Sequence, residues 1–215
     1  MRYNKQAFII VHHLFFILGV YYVGTTYNPV YCLIPFMTGY LGGYLLIHRG
    51  FHLHFSHVRY VDTFFNKMLS FICVMFMGWL ASPMTYALTH RQHHKYSDTD
   101  KDPHSPKFLS FWDILFENYK SLGMHSLIRD FAGSKYQKFL NKNKVSLHIT
   151  FCIICTLIIP LLLIIISSVT VYFIWYQGLL NTYGHKNDDA FNCLPLFLIT
   201  PWAWKHQDHH RQYVI

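Results

Sequence analysis

The 215-residue sequence predicts an all-α integral membrane protein, a single membrane-embedded domain over residues 1–215 with four transmembrane helices and further helices lying along the interface. Three observations carry this. Hydrophobic residues make up 53% of the chain and charged residues only 13%, about half the charged share usual in a soluble domain. The apolar residues fall into a few long runs separated by polar stretches that hold nearly all the charge. The 18 lysines and arginines are distributed with extreme asymmetry about those runs.

A spanning helix needs about 20 residues, at about 1.5 Å rise each, to cross about 30 Å of hydrocarbon. The first run, Phe8 to Val23, follows Arg2 and Lys5. No small-residue cleavage site comes after it, so it is expected to remain as a span over 8–25. Val30 to Ile47 supplies a second span over 29–47. The run Val145 to Thr182 would extend about 57 Å as one helix, close to two bilayer thicknesses. It is expected to form a hairpin of spans 147–166 and 169–185, turning near Ser167-Ser168, with Pro160 kinking the first arm. Ala190 to Trp204 is short and contains Pro195 and Pro201, which places it along the interface.

Met68 to Leu88 is long enough to span, but Pro83 stands near its end. If it crossed alone, the histidines before it (His48 to His57) and after it (His90 to His94) would face opposite sides and could not share a site. It is therefore read as interfacial or re-entrant. The outer turns are then Thr26 to Asn28 and Ser167-Ser168, and neither holds a lysine or arginine. Every basic residue, from Arg2 to Arg211, falls on the other side, which the positive-inside rule assigns to the cytoplasm. The net charge of +8 accordingly reads as a surface facing anionic lipid, with no nucleic-acid partner, since no nucleic-acid-binding motif accompanies it.

The cysteines sit in apolar runs, and the pair Cys152 and Cys155 lies within "FCIICTLIIP", where they read as small buried hydrophobes. Histidine is the anomaly: 16 of them against 10 carboxylates, with Glu117 the single glutamate. A metal site here must be built mainly from imidazole, which excludes the glutamate-rich di-iron site of ferritin-like bundles. His12 and His13 lie inside the first span, and their expected role is in bundle packing or at the interface.

His90, His93 and His94 stand at i, i+3, i+4, so a helix puts them on one face. His206, His209 and His210 in "HQDHH" repeat the spacing, and Asn181 and His185 are at i, i+4. The first cluster, "HRGFHLHFSH", offers His48, His52, His54 and His57; α-helical geometry alone pairs His48 with His52, because His52 and His57 differ by about 140°. Solvated interfacial histidines have no reason to repeat one spacing twice on one side of a membrane. A metal centre is the reading these clusters favour.

This constellation resembles the membrane-bound fatty acid desaturases, in particular the stearoyl-CoA (acyl-CoA Δ9) type. The HxxxxH of that family is matched by His52 and His57 in "HLHFSHVRY", its HRxHH by "HRQHH", its NxxxH by Asn181 and His185, and its final HxxHH by His206, His209 and His210. "KYSDTDKDPHSP" is similar to the family's stretch ending in Asp-Pro-His. The resemblance implies a cytoplasmic histidine-box di-metal site of His52, His57, His90, His93, His94, His185, His206, His209 and His210, with Asn181 ligating through water. It implies His52 and His57 where geometry preferred His48. The pattern departs from the family at Tyr86, where Pro-x-x-Trp is usual, and after Asp-Pro-His, where "FLSFWDILF" keeps only Trp112 of the usual His-x-Gly-Trp.

The implied chemistry is oxygen-dependent introduction of a cis double bond, Δ9 by resemblance, into a fatty acyl chain carried on CoA, carrier protein or lipid. Two iron ions are the implied cofactor, O2 the co-substrate, and electrons come from a separate donor protein of cytochrome b5 or ferredoxin type, because no His-Pro-Gly-Gly haem motif occurs in the chain. Ligand type alone does not separate iron from zinc. A related hydroxylase or ketolase, a membrane metal-binding or transport protein, and a haem protein are the rival readings. Transport would place ligands near mid-bilayer, and haem would need histidines paired across helices. Asp98, Asp100 and Asp102 lack the glycine and glutamate of a calcium loop and are candidates to orient a ligand histidine. His48, His54 and His104 are expected not to ligate directly, and His125 and His148 are expected at the surface and the interface.

Overall fold

Helix α1, Lys5–Thr26, carries no charge beyond Lys5, and one face of it is set against helix α8, Leu161–Tyr183. The outward side chains Ile10, Leu14, Ile17 and Leu18 are exposed, an arrangement that water would penalise and lipid would not. The structure is a computed structural model that describes residues 5–118, 122–186 and 189–213. Arg2 and Lys120, two of the basic residues counted above, lie outside the described residues.

After a single 3-10 turn at Pro29–Cys32, capped by the Asn28 side chain, the chain forms α2, Leu33–Gly42, and continues as a π-helix over Gly43–His57. Helix α2 lies against α8. A Cβ on Gly39 would stand 2.8 Å from the Ser168 carbonyl oxygen, so glycine permits this approach. Helix α3, Phe64–Met77, packs on α7, Lys135–Ile158. Helix α4, Pro83–Tyr96, packs on the π-helix.

The run Met68 to Leu88 is thus split between two helices. Ser82 caps α4 in a reciprocal capping box with Thr85, and Pro83 occupies the first turn, where its missing N–H costs nothing. Short helices α5, Phe111–Leu115, and α6, Arg129–Ala132, follow. A two-residue hairpin of strands β1, His185–Lys186, and β2, Asp189–Ala190, extends from the end of α8. A 3-10 turn at Leu194–Leu198 stands within Ala190 to Trp204, and α9, His206–Gln212, comes last.

The hairpin does not turn at Ser167-Ser168. It turns at Ile159-Pro160, with Pro160 standing just before the second arm and not kinking the first. Proline disfavours helical geometry in the residue before it, and Ile159 is extended, at φ −144° and ψ 97°. Ser167 and Ser168 need no turn. The Ser168 hydroxyl donates to the Ile164 carbonyl at 2.7 Å, and Ser167 Oγ lies 3.0 Å from His12 Nδ1. The corrected turn still holds no lysine or arginine.

Among the described residues, three helical stretches are long and apolar enough to cross a membrane: Lys5–Thr26, Pro29–His57 and Leu161–Tyr183. The fourth expected span maps onto the C-terminal part of α7, whose apolar stretch 145–158 is about 21 Å long. His148 is buried inside the bundle and not at its interface. Its Nδ1 lies 2.7 Å from the Met75 carbonyl, one of the last carbonyls of α3. His125 is exposed, as expected.

Candidate metal centre

The elements around the site are positioned by one buried cation. Arg91 on α4 donates through Nε to Ser56 O at 2.7 Å and through Nη2 to Phe55 O at 3.1 Å and Val58 O at 3.2 Å, all at the end of the π-helix. Its Nη1 also reaches Leu127 O at 2.8 Å, and its fork meets Asp130 at 2.7 and 2.9 Å. The carbonyls that a helix leaves unpaired at its end are thereby satisfied from α4. The Arg of "HRQHH" is the signal in the sequence for this clamp, and Asp130 has none.

The winding of Gly43–His57 resolves the register of the first cluster. In an α-helix His52 and His57 point about 140° apart. In a π-helix the hydrogen bond runs from i to i+5, so residues five apart lie close to one face. His52 and His57 accordingly lie with ring centroids 5.2 Å apart, both toward His209. His48 is left behind them, its Nδ1 3.3 Å from His52 Nδ1. His54 points away, to Asn66 Oδ1 at 2.8 Å.

Nine of the predicted residues gather in two nests. The first is His52, His57, His90, His94 and His209, and the second is His93, His185, His206 and His210; within each nest the nitrogens lie within 4.8 Å of one another. Helices α4 and α9 each serve both. On α4, His90 and His94 at i, i+4 face the first nest and His93 the second. On α9, His206 and His210 at i, i+4 face the second and His209 the first. The rings of His94 and His210 stack at 4.2 Å across the boundary.

The donor set fits metal ions. His209 Nε2 stands 2.9 Å from His52 Nε2 and 3.1 Å from both His57 Nε2 and His94 Nε2. An imidazole nitrogen has one in-plane direction, either a proton or a lone pair, so it cannot hydrogen-bond to three others. In the second nest Nε2 atoms approach at 3.2 Å for His93 and His210, 3.1 Å for His185 and His206, and 3.2 Å for His206 and His210. A cation at each centre accounts for lone pairs aimed at one point. Burial pushes His90, His93 and His206 well below the usual imidazole range, and neighbouring rings add to it. The same causes take His94 and His209 down to about 2 and His210 to about 4. Neutral imidazole is the ligating form.

Two carboxylates hold the second nest from behind. Asp98 Oδ2 accepts from His185 Nδ1 at 2.8 Å, and Asp102 Oδ2 accepts from His93 Nδ1 at 2.8 Å. With the proton on Nδ1, each Nε2 lone pair points inward. The loop is self-braced: Asp102 also accepts from the Asp98 and His104 N–H groups, and Ser105 Oγ donates to Asp98 Oδ1. Asp98 takes a left-handed φ of 57°, which aspartate tolerates. Burial raises Asp98, but the donors of His185 and Ser105 outweigh it and keep the carboxyl below its usual value. Burial takes Asp102 up to about 6 despite the two N–H donors. His93, Asp102 and His104 also approach one another. His93 turns its Nε2 to the second nest, however, so this trio is support for that nest.

Asn181 is buried on α8, and its amide donates to Gln177 Oε1 at 3.1 Å, four residues before His185. His52 and His57, before the segment Met68 to Leu88, converge with His90 and His94, after it.

A fatty acid desaturase family model matches residues 25–211. Delta-9 acyl-lipid desaturase 1 of Arabidopsis thaliana is 30% identical over 130 residues, 55% of this chain and 39% of the relative. Icosanoyl-CoA 5-desaturase of Limnanthes douglasii is 28% identical over 150 residues, 65% of this chain and 40% of the relative. The sn-1 stearoyl-lipid 9-desaturase of Synechocystis sp. is 28% identical over 195 residues, 83% of this chain and 59% of the relative. The chain therefore spans about two fifths to three fifths of the length of these relatives. No solved structure matches it.

Proposed function

The chain belongs to the fatty acid desaturase family, and on that premise we propose that it is an oxygen-dependent desaturase that introduces a cis double bond, at Δ9, into a fatty acyl chain. The observation that carries the reading is the pair of imidazole nests. One metal would be held by His52, His57, His90, His94 and His209, and the other by His93, His185, His206 and His210, with Asn181 contributing through water. Bound as a pair of irons, they supply the oxygen chemistry that removes one hydrogen from each of two adjacent acyl carbons. Overall, one O2 becomes two waters, taking two hydrogen atoms (two protons with two electrons) from the acyl chain, two further electrons from an external donor and two protons from solvent.

The protein's own part is positional. Asp98 and Asp102 keep a proton on Nδ1 of His185 and His93 and so fix which ring nitrogen faces inward. Arg91 locks the π-helix that presents His52 and His57. Phe51, Phe173 and Tyr176, all buried, exclude water from the core beside the first nest. In membrane terms the chain has four spans, formed by α1, α2 with its π-helix, the apolar part of α7, and α8, with the nests on the cytoplasmic side. The support is that neither turn, at 26–28 or at 159–160, holds a lysine or arginine. The acyl carrier is CoA, a carrier protein or a lipid, and the donor is a separate cytochrome b5 or ferredoxin type protein.

Expression in a desaturase-deficient host, with lipid profiling, tests this. A new cis-monoenoic acid at carbon 9, lost in His93→Ala, is expected. A hydroxylated product alone would reassign the chain to the hydroxylases, and one zinc or no metal per chain would remove the di-iron reading.

A further inference from the structure

A cavity of about 210 Å³ lies beside the first nest, between α4, α8, the beginning of α1 and the middle of α7. Its inner wall is apolar, formed by Leu80, Ala81, Tyr86 and Phe173, and it reaches His90 and His104. Its other end is charged, with Lys5, Lys144 and Glu117. Lys5 Nζ and Glu117 Oε2 pair at 2.6 Å and neutralise one another. Lys144 is different. Among the described residues no carboxylate oxygen lies within 4.0 Å of it, and its Nζ reaches only Thr85 Oγ1, at 3.5 Å.

The local balance is therefore one uncompensated cation at the end of a partly apolar cavity. Lysines at the ends of spans extend outward toward lipid head groups and keep the ammonium in water. Lys144 is the last charged residue before the apolar part of α7, yet it turns inward to α4 and lines the cavity. Burial pushes its ammonium down to about 8; Glu117 opposes this and Lys5 adds to it. Lys144 is half-buried; a cation drawn partly out of water without a carboxylate partner carries a desolvation cost, and an anion supplied from outside offsets it. The nearby groups cannot do so: the Thr85 hydroxyl donates to Ser82 O, and Gln177 is engaged with Tyr86 and Asn181.

We propose that this cavity takes the anionic head of an acyl lipid, a carboxylate or phosphate against Lys144, with the adjoining part of its chain along Leu80, Tyr86 and Phe173 toward His90. The inference rests on the proposed acyl-lipid function and narrows its substrate class to acyl chains presented with a negative charge at the membrane boundary. Lys144 is a specificity residue, and Lys5 with Glu117 forms the rim.

Equilibrium binding to the full chain in nanodiscs of neutral lipid, read without turnover, tests it with stearate, methyl stearate and stearoyl lysophosphatidate. Wild type is expected to bind an anionic probe about tenfold or more tightly than the ester, the effect of one charged hydrogen bond. Lys144→Gln should close the gap while leaving the ester unchanged, and Lys144→Arg should retain it. Tighter binding of stearate points to a free acid and tighter binding of the phosphate to a lipid head group; either supports the proposal. Equal affinity of wild type for acid and ester, or equal loss of both in Lys144→Gln, would overturn it. A chain that discriminates yet forms no double bond would fail as a desaturase while keeping this site. One that desaturates without discriminating would do the reverse.

Discussion

Arg91 and Asp130 meet fork to fork at 2.7 and 2.9 Å, both nearly buried, and the same guanidinium caps the π-helix that carries His52 and His57. A structural ion pair and the first imidazole nest are thereby joined through one side chain. Arg91→Ala leaves Asp130 buried without its cation and frees four carbonyls, those of Phe55, Ser56, Val58 and Leu127. It is expected to cost about 3–5 kcal/mol of stability and to lower metal content. Arg91→Lys should recover only part of the loss, since a point ammonium cannot fill the fork. Thermal unfolding in detergent together with metal per chain reads both, and wild-type values in Arg91→Ala would contradict the clamp.

The carboxylates behind the second nest should act on metal affinity. Asp102→Asn and Asp98→Asn are each expected to weaken binding about 10–100-fold, measured by competition with a chelator. Asp100→Asn, exposed in the same loop, is the control and should bind as wild type. Equal behaviour of all three would show that the hydrogen bonds to His93 and His185 do not matter.

Histidines that share a sequence neighbourhood should separate cleanly. His57→Ala removes a nitrogen from the first nest and should lower the metal bound per chain. His54→Ala, whose ring is turned to Asn66, should keep the wild-type metal content. Metal analysis of purified protein decides it, and loss in both variants alike would undo the register that the π-helix imposes.

Stability of the metal-free protein should fall in acid. Burial depresses His90, His93, His94, His206, His209 and His210 below the ordinary value of 6.5. Below pH 6.5 the unfolded chain takes up protons that the folded chain refuses, so folding weakens as pH drops and is unaffected by these groups above it. Unfolding temperature should decline from about pH 6.5 toward the value of about 4 held by His210 and below. A flat profile from pH 7 to 4 would contradict the burial of these rings.

The approach of α2 to α8 depends on Gly39. Gly39→Ala places a methyl 2.8 Å from a backbone carbonyl, which cannot rotate away as a side chain would. A loss of about 1–3 kcal/mol is expected, read by thermal unfolding, with unchanged stability counting against the close packing.

Much of this molecule was legible in the order of residues. Long uncharged runs cannot fold in water, so they announce helices in lipid. The repeated HxxHH spacing needs only the α-helical period to place His90 with His94 and His206 with His210 on one face. These are local quantities, fixed by a few neighbouring residues.

What the tertiary structure decided is what depends on partners far along the chain. Ser167-Ser168 looked like a turn because serines are polar, but His12 on α1 satisfies one of them, and proline stereochemistry moved the turn to Ile159-Pro160. His148 looked interfacial until the end of α3 supplied a carbonyl for it. His52 and His57 were out of phase on an ideal helix, and the π-helix, capped by Arg91, brought them together. The division of nine imidazoles into a nest of five and a nest of four is likewise set by packing. Spacing states which side chains share a face; only the docking of one helix against another states what that face meets.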